Sequence, residues 1–160
     1  MVKEQCQILV EAKDGVTRVT LSGEIDDIVD FKTKLSGIKG EVHFYTKAVS
    51  RINSLGVKAW MISMQQLTQE GAKLKFYECS PSIVEQFNLI VNFGYGSPIE
   101  SAYVPYVCPE CNATRVALFS TADIKKMGNN PPEPPCPSCK KANMTFDDIP
   151  SEYFQFANRG

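Results

Sequence analysis

Two closely spaced cysteine pairs are the residues of this chain whose type and spacing most directly indicate chemistry. Cys108 and Cys111 form one C-x-x-C unit, and Cys136 and Cys139 form a second. Two intervening residues allow one tight turn to present both thiolates of a unit to a single ion, and two such turns complete a tetrahedral shell of four sulfurs. Soft thiolates in that geometry select Zn²⁺ over hard cations. The spacing therefore predicts one structural Zn²⁺ ion bound by the four cysteines.

Other uses of these thiols fit the pattern less well. A dithiol–disulfide redox centre needs one C-x-x-C unit at a helix N-terminus, whereas here two units occur and neither opens a strongly apolar helix. A catalytic zinc ion keeps an open coordination position, whereas four thiolates close the shell and the one histidine, His43, lies in a distant strand-like run. We therefore expect no enzyme activity. Cys6 and Cys79 stand alone among apolar residues and are expected in the core.

The composition is that of a globular protein. The chain has 160 residues, of which 43% are hydrophobic and 22% are charged, and its formal net charge is −1 at pH 7. These values exclude fibrous and wholly disordered proteins, and a nearly neutral chain has no strong field for a polyanion. No long apolar leader opens the chain and no later run approaches about 18 apolar residues. We therefore expect a cytoplasmic protein without a membrane segment.

The part of the chain before residue 107 alternates strand-like and helix-like runs, which is typical of an α/β layer structure. Strands are predicted over residues 6–10, 16–21, 41–46, 73–79 and 99–107. The Asp14-Gly15 step predicts a hairpin between the first two strands, and Pro105 indicates an edge strand or an exit from the sheet.

Helices are predicted where apolar residues recur at spacings of three and four. The first spans residues 27–38, with Asp26 or Asp27 as N-cap and with Ile28, Phe31, Leu35 and Ile38 on one face. The second spans residues 54–70 and buries Val57, Trp60, Met61, Met64 and Leu67. The third spans residues 81–93, is capped by Ser80, and buries Val84, Phe87 and Val91.

The sequence changes character beyond residue 107. Prolines crowd residues 131–137 and long apolar periodicity disappears, so this segment cannot build its own core, and a metal would supply the missing stability. We expect two units, residues 1–107 and a zinc ribbon with its tail over 108–160, with a hairpin arm at 114–120. Val107 directly precedes the first ligand, so no flexible linker is available. The ribbon should dock, with Phe154 or Phe156 packing on the ribbon or the sheet.

A nucleic-acid-binding adaptor acting through the ribbon is the alternative function. The basic and acidic residues of 108–160 balance, and four thiolates with one Zn²⁺ add a formal −2. Long-range electrostatics therefore do not favour a phosphate backbone. Lys140-Lys141, beside the second cysteine pair, offers a local contact. Nucleic acid is accordingly not the expected partner.

A second candidate site is the turn at residues 52–56, Ile-Asn-Ser-Leu-Gly, before the longest predicted helix. A hydroxyl at Ser54 suits phosphorylation, because free N–H groups and the helix dipole stabilise an added phosphate. Simpler uses are also open: Asn53 and Ser54 are good caps, and Gly56 permits close packing of the helix. No neighbouring base is placed to activate Ser54, which argues against a hydrolase.

Residues 21–26 (Leu-Ser-Gly-Glu-Ile-Asp), 52–56 and 71–74 (Gly-Ala-Lys-Leu) together resemble the STAS domain, the fold of bacterial anti-sigma factor antagonists. The resemblance covers approximately residues 4–104. It implies a STAS-like α/β fold, with a mixed sheet packed by helices, to which this chain adds a small zinc ribbon with four cysteine ligands.

The same resemblance implies a regulatory function. In that family the turn reads Asp-Ser-x-Gly, and its serine is phosphorylated by a partner kinase that also acts as an anti-sigma factor. Ser54 occupies the serine position. Asn53 stands where the family usually has Asp in this turn, and Tyr45 stands near a predicted strand end where another Asp is common. The implied function is that of a non-enzymatic protein-binding module whose partner is an anti-sigma factor or Ser/Thr kinase, with Ser54, Asn53 and Gly56 in its binding site.

Overall fold

The computed structural model describes residues 5–158, which form two β-sheets and the helices packed against them. The strands are β1 (Gln7–Lys13), β2 (Val16–Ile25), β3 (Glu41–Ile52), β4 (Lys73–Tyr77), β5 (Ser101–Val107), β6 (Thr114–Ser120) and β7 (Thr145–Phe146). The helices are α1 (Phe31–Lys34), α2 (Ser54–Gln69), α3 (Pro81–Leu89), α4 (Thr121–Lys126), α5 (Pro150–Tyr153) and α6 (Gln155–Asn158). Within residues 5–158, no helix is long and apolar enough to span a bilayer.

The first sheet has the strand order β1-β2-β3-β4 and is mixed. β1 and β2 form an antiparallel hairpin. Its turn places Asp14 and Gly15 at φ angles of 54° and 80°, as a two-residue type I′ connection requires. β2, β3 and β4 run parallel to one another. The predicted hairpin and the predicted α/β alternation are therefore confirmed.

Three helices cover one face of this sheet and share an aromatic core. Trp60 of α2 is fully buried, and its ring centroid lies 6.0 Å from that of Phe44 in β3 and 5.8 Å from that of Phe76 in β4. Phe31 of α1 lies 6.2 Å from Trp60, and Phe87 of α3 lies 5.0 Å from Phe76. The predicted mixed sheet packed by helices is confirmed.

β5 connects the first sheet to the second, whose strand order is β6-β5-β7. Residues at and before the start of β5 lie beside β4 through the isolated bridges Phe76–Ile99 and Cys79–Ala102. The strand then pairs antiparallel with β6 and with β7. β6 is the arm predicted over residues 114–120. The cysteine-bearing segment is thus attached through a paired strand.

The C-terminal tail packs on the second sheet, as the sequence predicts. Phe154 is fully buried, and its ring stacks on Phe146 of β7 with centroids 5.1 Å apart. The Tyr153 hydroxyl donates to the Tyr103 carbonyl of β5 at 2.6 Å. Burial raises the pKa of Tyr153 well above its usual value, so the hydroxyl keeps the proton that it donates. The aromatic tail is part of the folded core.

Asn88 of α3 fastens this tail to the helices of the first sheet. Its Nδ2 donates to the Tyr153 carbonyl at 2.8 Å, and its Oδ1 accepts from the Phe156 N–H at 3.0 Å. We expect Asn88→Ala to lower the free energy of unfolding by about 1–3 kcal/mol, because it leaves two backbone groups without these partners. Denaturant unfolding measures the loss. Gln86→Ala, another half-buried amide of α3, is the control, and equal midpoints for the two variants would contradict the role given to Asn88.

The first helix is shorter than predicted. The pattern predicts a helix over residues 27–38, but α1 has only four residues. Asp26 accepts from the Ile28 N–H at 2.9 Å, which forms a turn where the helix was expected to begin. Asp30 caps the helix instead of either predicted aspartate, and Gly37, at φ 77°, follows its end. Ile28 is exposed, whereas the other predicted core residues are buried: Phe31, Leu35 and Ile38.

β3 is longer than predicted. The alternation predicts a strand over residues 41–46 and then a loop containing Val49 and Ile52, whereas β3 continues to Ile52. Its second half pairs with the end of β2, with Gly23 opposite Val49, across two register shifts. Those shifts interrupt the two-residue period that identifies a strand in sequence. Tyr45 therefore lies inside β3 and not near its end.

Two expectations about the ends of the first sheet's elements are also wrong. α3 ends at Leu89, because Ile90 adopts an extended conformation, and Val91 is exposed where it was expected to be buried. β4 ends at Tyr77, so Cys79 lies just outside the strand that was predicted to include it.

Pro105 lies in the central strand of the second sheet, so the edge-strand interpretation is wrong and the exit from the first sheet agrees with the topology. Proline is tolerated there because β7 pairs only with Tyr106 and Val107, and residue 105 contributes a carbonyl, which accepts from the Asp147 N–H at 3.0 Å. Helix α4 is not predicted by the pattern, since Ile124 is its one buried residue and gives no period.

Candidate functional site

The four cysteines of the two C-x-x-C units lie together just beyond the end of β5. Their Sγ atoms lie within 4.8 Å of one another. Two contacts between the units are short: Cys108 Sγ to Cys139 Sγ is 3.6 Å, and Cys111 Sγ to Cys136 Sγ is 3.7 Å. Cys108 and Cys136 are buried, Cys139 is half-buried and Cys111 is exposed. The fold thus brings the four residues into one cluster.

The sulfur spacing suits a tetrahedral thiolate site. Four sulfurs placed about 2.3 Å from a central ion are about 3.8 Å apart, close to the separations of 3.6 and 3.7 Å between the two units. The cluster offers sulfur donors alone. His43 lies in β3 instead, where its Nε2 is 3.0 Å from Glu41 Oε1. The four cysteines can therefore hold one metal ion in a closed shell.

The backbone of the two cysteine turns is alike. In the first, Asn112 N–H donates to the Cys108 carbonyl at 2.9 Å, and in the second, Lys140 N–H donates to the Cys136 carbonyl at 3.1 Å. Asn112 and Lys140 have φ angles of 61° and 60°. Left-handed backbone is uncommon outside glycine, and here it occurs at the same place in both turns. Each turn is shaped to direct two sulfurs to one point.

The second turn also favours the ionised form of a thiol. Hydrogen bonds from the backbone N–H groups of Cys139 and Ser138 lower the pKa of the Cys136 thiol. The pKa of Cys111 is raised, so of these two thiols Cys136 loses its proton first. Donors aimed at a sulfur stabilise the thiolate, which is the form that binds metals. The second cysteine turn therefore both positions the sulfur of Cys136 and favours its ionised form.

The two remaining cysteines have different surroundings. Cys79 is fully buried, and burial raises the pKa of its thiol to about 12, so it remains protonated. Cys6 is half-buried, and partial burial with the nearby Asp26 charge raises its pKa to about 11. Protonated thiols are poor nucleophiles and poor ligands. Cys79 is the core residue that the sequence predicts, whereas Cys6 lies at the margin of the core.

The second candidate site is the N-terminal end of α2, between the ends of β2 and β3. Asn53 is the N-cap, and its Oδ1 accepts from the Gly56 N–H at 2.8 Å. Ser54 is the first residue of the helix and is exposed. Of the two predicted capping residues, Asn53 performs the capping. The Ser54 hydroxyl is accessible at the positive end of a helix of 16 residues.

Gly56 fixes how closely α2 approaches the first sheet. A Cβ atom at this position would overlap the Ile25 carbonyl oxygen and lie 2.6 Å from its carbon. The Asn53 N–H donates to the same carbonyl at 3.1 Å. Two of the sequence motifs, residues 21–26 and 52–56, are therefore in direct contact. The close-packing role that the sequence allows for Gly56 is confirmed.

Two exposed apolar side chains that the sequence analysis did not select lie next to Ser54 in sequence and in the turn after β2. Leu55 is 55% exposed and follows Ser54 directly. Ile28, in the turn after β2, is 68% exposed. Leu55 could have been found from the sequence, because it lies off the apolar spacing of the helix. Ile28 could not, since its spacing matched the core face of a helix that begins only at Phe31.

A cleft of about 350 Å³ adjoins this helix end, lined by the end of β2 and the end of β3. Two acidic residues, Glu24 and Asp26, and one basic residue, Arg51, line its wall, and Asn53 connects it to the helix. The end of α2 thus combines an exposed hydroxyl, the exposed apolar side chain of Leu55 and a polar cleft.

Comparisons with known proteins add a structural likeness. No protein-family model matches the chain, and no curated protein is significantly similar to it. Among solved structures, the chain is similar to an anti-sigma factor antagonist from Mycobacterium paratuberculosis. The two are 22% identical with a TM-score of 0.49, over 59% of this chain and 85% of that chain. The assignment of a function therefore depends on the geometry of this chain's own residues.

Proposed function

We propose that the protein is a non-enzymatic regulatory module that binds a protein partner at the N-terminal end of α2 and is switched by phosphorylation of Ser54. One observation carries the proposal: Ser54 is exposed at the first position of a long helix, while its neighbour Asn53 makes the capping bond. The hydroxyl is therefore accessible to a kinase. The proposed partner is an anti-sigma factor or a Ser/Thr kinase, following the sequence resemblance.

The physical basis of the switch is charge placed beside apolar surface. A phosphate at Ser54 would be stabilised by the free N–H groups and dipole of α2, so the modified protein stays folded. It would also place about two negative charges next to Leu55, which a partner must bury. Burial of an apolar side chain and desolvation of a phosphate oppose each other. Phosphorylation should therefore release the partner.

The metal site belongs to the same proposal as a structural element. We propose that Cys108, Cys111, Cys136 and Cys139 hold one Zn²⁺ ion. The support is the all-sulfur donor set, whose spacing matches a zinc–thiolate tetrahedron. Such an ion would stabilise residues 108–160, which we propose as a unit beside the regulatory unit of residues 1–107. Thiolate ligands also require a reducing compartment, which fits a cytoplasmic location.

Ser54 variants test the switch. With a purified anti-sigma factor or kinase from the native host, we expect Ser54→Asp to weaken binding about tenfold or more, equivalent to about 1.4 kcal/mol. Ser54→Ala should bind like the unmodified protein. Calorimetric titration measures the affinities, and mass spectrometry after incubation with the kinase and ATP locates the phosphate.

Ser151→Asp is the matched control, because Ser151 is an exposed serine in the first turn of another helix, α5. It should leave the affinity unchanged. Equal affinities for Ser54→Asp, Ser54→Ala and the unmodified protein would remove the proposed switch. Binding to DNA or RNA that weakens steeply with salt would instead support the alternative, a nucleic-acid-binding adaptor acting through the zinc ribbon of residues 108–160.

A further inference from the structure

β1 is an edge strand that no other part of the described chain covers. It pairs with β2 residue by residue from Gln7 to Lys13, without a bulge, and lies at the end of the order β1-β2-β3-β4. The opposite edge, β4, is covered by bridges to the chain around the start of β5, Phe76–Ile99 and Cys79–Ala102. Within residues 5–158, β1 is therefore the edge strand of the first sheet that has no partner along its outer side.

This open edge lacks most of the devices that normally protect one. Edge strands avoid pairing with other chains through proline, bulges, short length or charges at the middle of the strand. β1 has seven residues and no proline, and its central residue, Val10, lies between Leu9, which is 56% exposed, and Glu11. The half of the strand before Val10 carries no charge. An unprotected apolar edge is suited to receive a further strand.

The side chains of β1 alternate between the two faces of the sheet. Ile8 and Val10 lie opposite Leu21 and Val19 of β2, which are fully buried on the helix side. Gln7, Leu9 and Glu11 therefore lie on the other face. The pattern is symmetric about Leu9, because an apolar residue and then a polar residue follow it in each direction: Ile8 and Gln7 on one side, Val10 and Glu11 on the other.

We propose that two copies of this protein associate through β1, pairing antiparallel about a twofold axis at Leu9. In this register Leu9 lies opposite the partner's Leu9, and Ile8 lies opposite the partner's Val10. Gln7 lies opposite the partner's Glu11, so an amide meets a carboxylate. Directly opposed residues in an antiparallel pair lie on the same face of the sheet. Apolar side chains therefore lie opposite apolar side chains on both faces, the leucine pair on one face and the Ile8–Val10 pairs on the other. The two four-stranded sheets become one continuous sheet of eight strands.

Other registers match less well. A twofold axis at Val10 would place Glu11 opposite the partner's Leu9 and leave a carboxylate against an apolar side chain. The self-complementary pattern at Leu9 is the feature that identifies a second copy as the occupant, since a twofold interface requires one surface to match itself. The surface is separate from the end of α2, so the inference does not depend on the proposed function.

Sedimentation of the full-length protein tests the association. We expect a particle of twice the chain mass, and Leu9→Lys should shift it to the mass of one chain, raising the dissociation constant at least about tenfold, because the change introduces two like charges opposite each other. Leu9 is exposed, so the variant should fold, which circular dichroism checks. Leu118→Lys is the control, since Leu118 is 47% exposed on β6, an edge strand of the second sheet. A single-chain mass for the unmodified protein, or a dimer that survives Leu9→Lys, would overturn the proposal.

Cysteine substitution tests the register. In a Cys6→Ser background, Leu9→Cys should form a disulfide-linked dimer under mild oxidation by glutathione, because opposed Cβ atoms lie about 4.5–5.5 Å apart. Gln7→Cys should not, since the two copies of residue 7 would be separated by about 13 Å along the strands. Gln7→Cys combined with Glu11→Cys should cross-link again, and Cys6→Ser alone should not. Cross-linking of Val10→Cys in place of Leu9→Cys would contradict the proposed pairing.

Discussion

Cys136→Ser is expected to abolish metal binding and to unfold the segment around the cysteine cluster. Cys136 is buried, and its sulfur lies 3.7 Å from that of Cys111, so serine would remove a ligand from the interior of the site. Structural zinc contributes about 10–16 kcal/mol in zinc-finger peptides, which is comparable to the entire stability of a domain, about 5–15 kcal/mol. The segment should not remain folded without its ion.

The unfolding caused by Cys136→Ser is expected to affect the second sheet and to leave the first sheet folded. The first sheet is held by its own apolar contacts around Trp60, Phe44 and Phe76, which are all fully buried. We therefore expect amide exchange to accelerate over residues 108–146 while β2, β3 and β4 stay protected. The tail should exchange at intermediate rates, because Asn88 and Tyr103 continue to bind Tyr153.

Elemental analysis and amide exchange by mass spectrometry measure both expectations. The unmodified protein, purified in reducing buffer without chelator, should contain one equivalent of zinc and the variant should contain none. Cys6→Ser is the control, because Cys6 is a half-buried thiol outside the cluster. Zinc retained at full stoichiometry by Cys136→Ser, or protection lost equally from both sheets, would contradict this account.

The sequence was sufficient to predict the cysteine cluster and the start of α2, because both follow from local chemistry. Two C-x-x-C units constrain four sulfurs by spacing alone. Asn53, Ser54 and Gly56 define a helix start within a few residues, so a cap at Asn53 or Ser54 and the accessibility of Ser54 could be predicted without tertiary information. Both features depend on a few residues of specific chemistry and not on long-range pairing.

The errors arose where long-range contacts decide the local structure. The second half of β3 is a strand because it pairs with the end of β2, and its register shifts hide the alternation. α1 is short because Asp26 forms a turn before it, which apolar spacing does not reveal. Of the two interpretations of Pro105, the edge strand is wrong because the pairing of β5 with β6 and β7 joins segments far apart in sequence.

Gly56→Ala is expected to destabilise the protein by about 1–3 kcal/mol, the usual cost of forcing an extra carbon into a packed site. Helix propensity alone predicts the opposite sign, since alanine is better than glycine in a helix by about 1 kcal/mol. The sign therefore tests the contact. The new Cβ would meet the Ile25 carbonyl group and would lie 3.0 Å from the Asp26 nitrogen, and these are backbone atoms that cannot rotate away as a side chain would.

Relief of that overlap would have to move α2 as a whole, because the Ile25 carbonyl also accepts from the Asn53 N–H at 3.1 Å. Gly56→Ala should therefore also displace Ser54 and weaken partner binding, whereas Ser54→Ala, an exposed change in the same helical turn, should alter stability by less than about 0.5 kcal/mol. Thermal and denaturant unfolding of the two variants give the comparison. A Gly56→Ala protein as stable as the unmodified one would mean that α2 does not pack against Ile25 at the observed distance, and the close contact between the two sequence motifs would have to be abandoned.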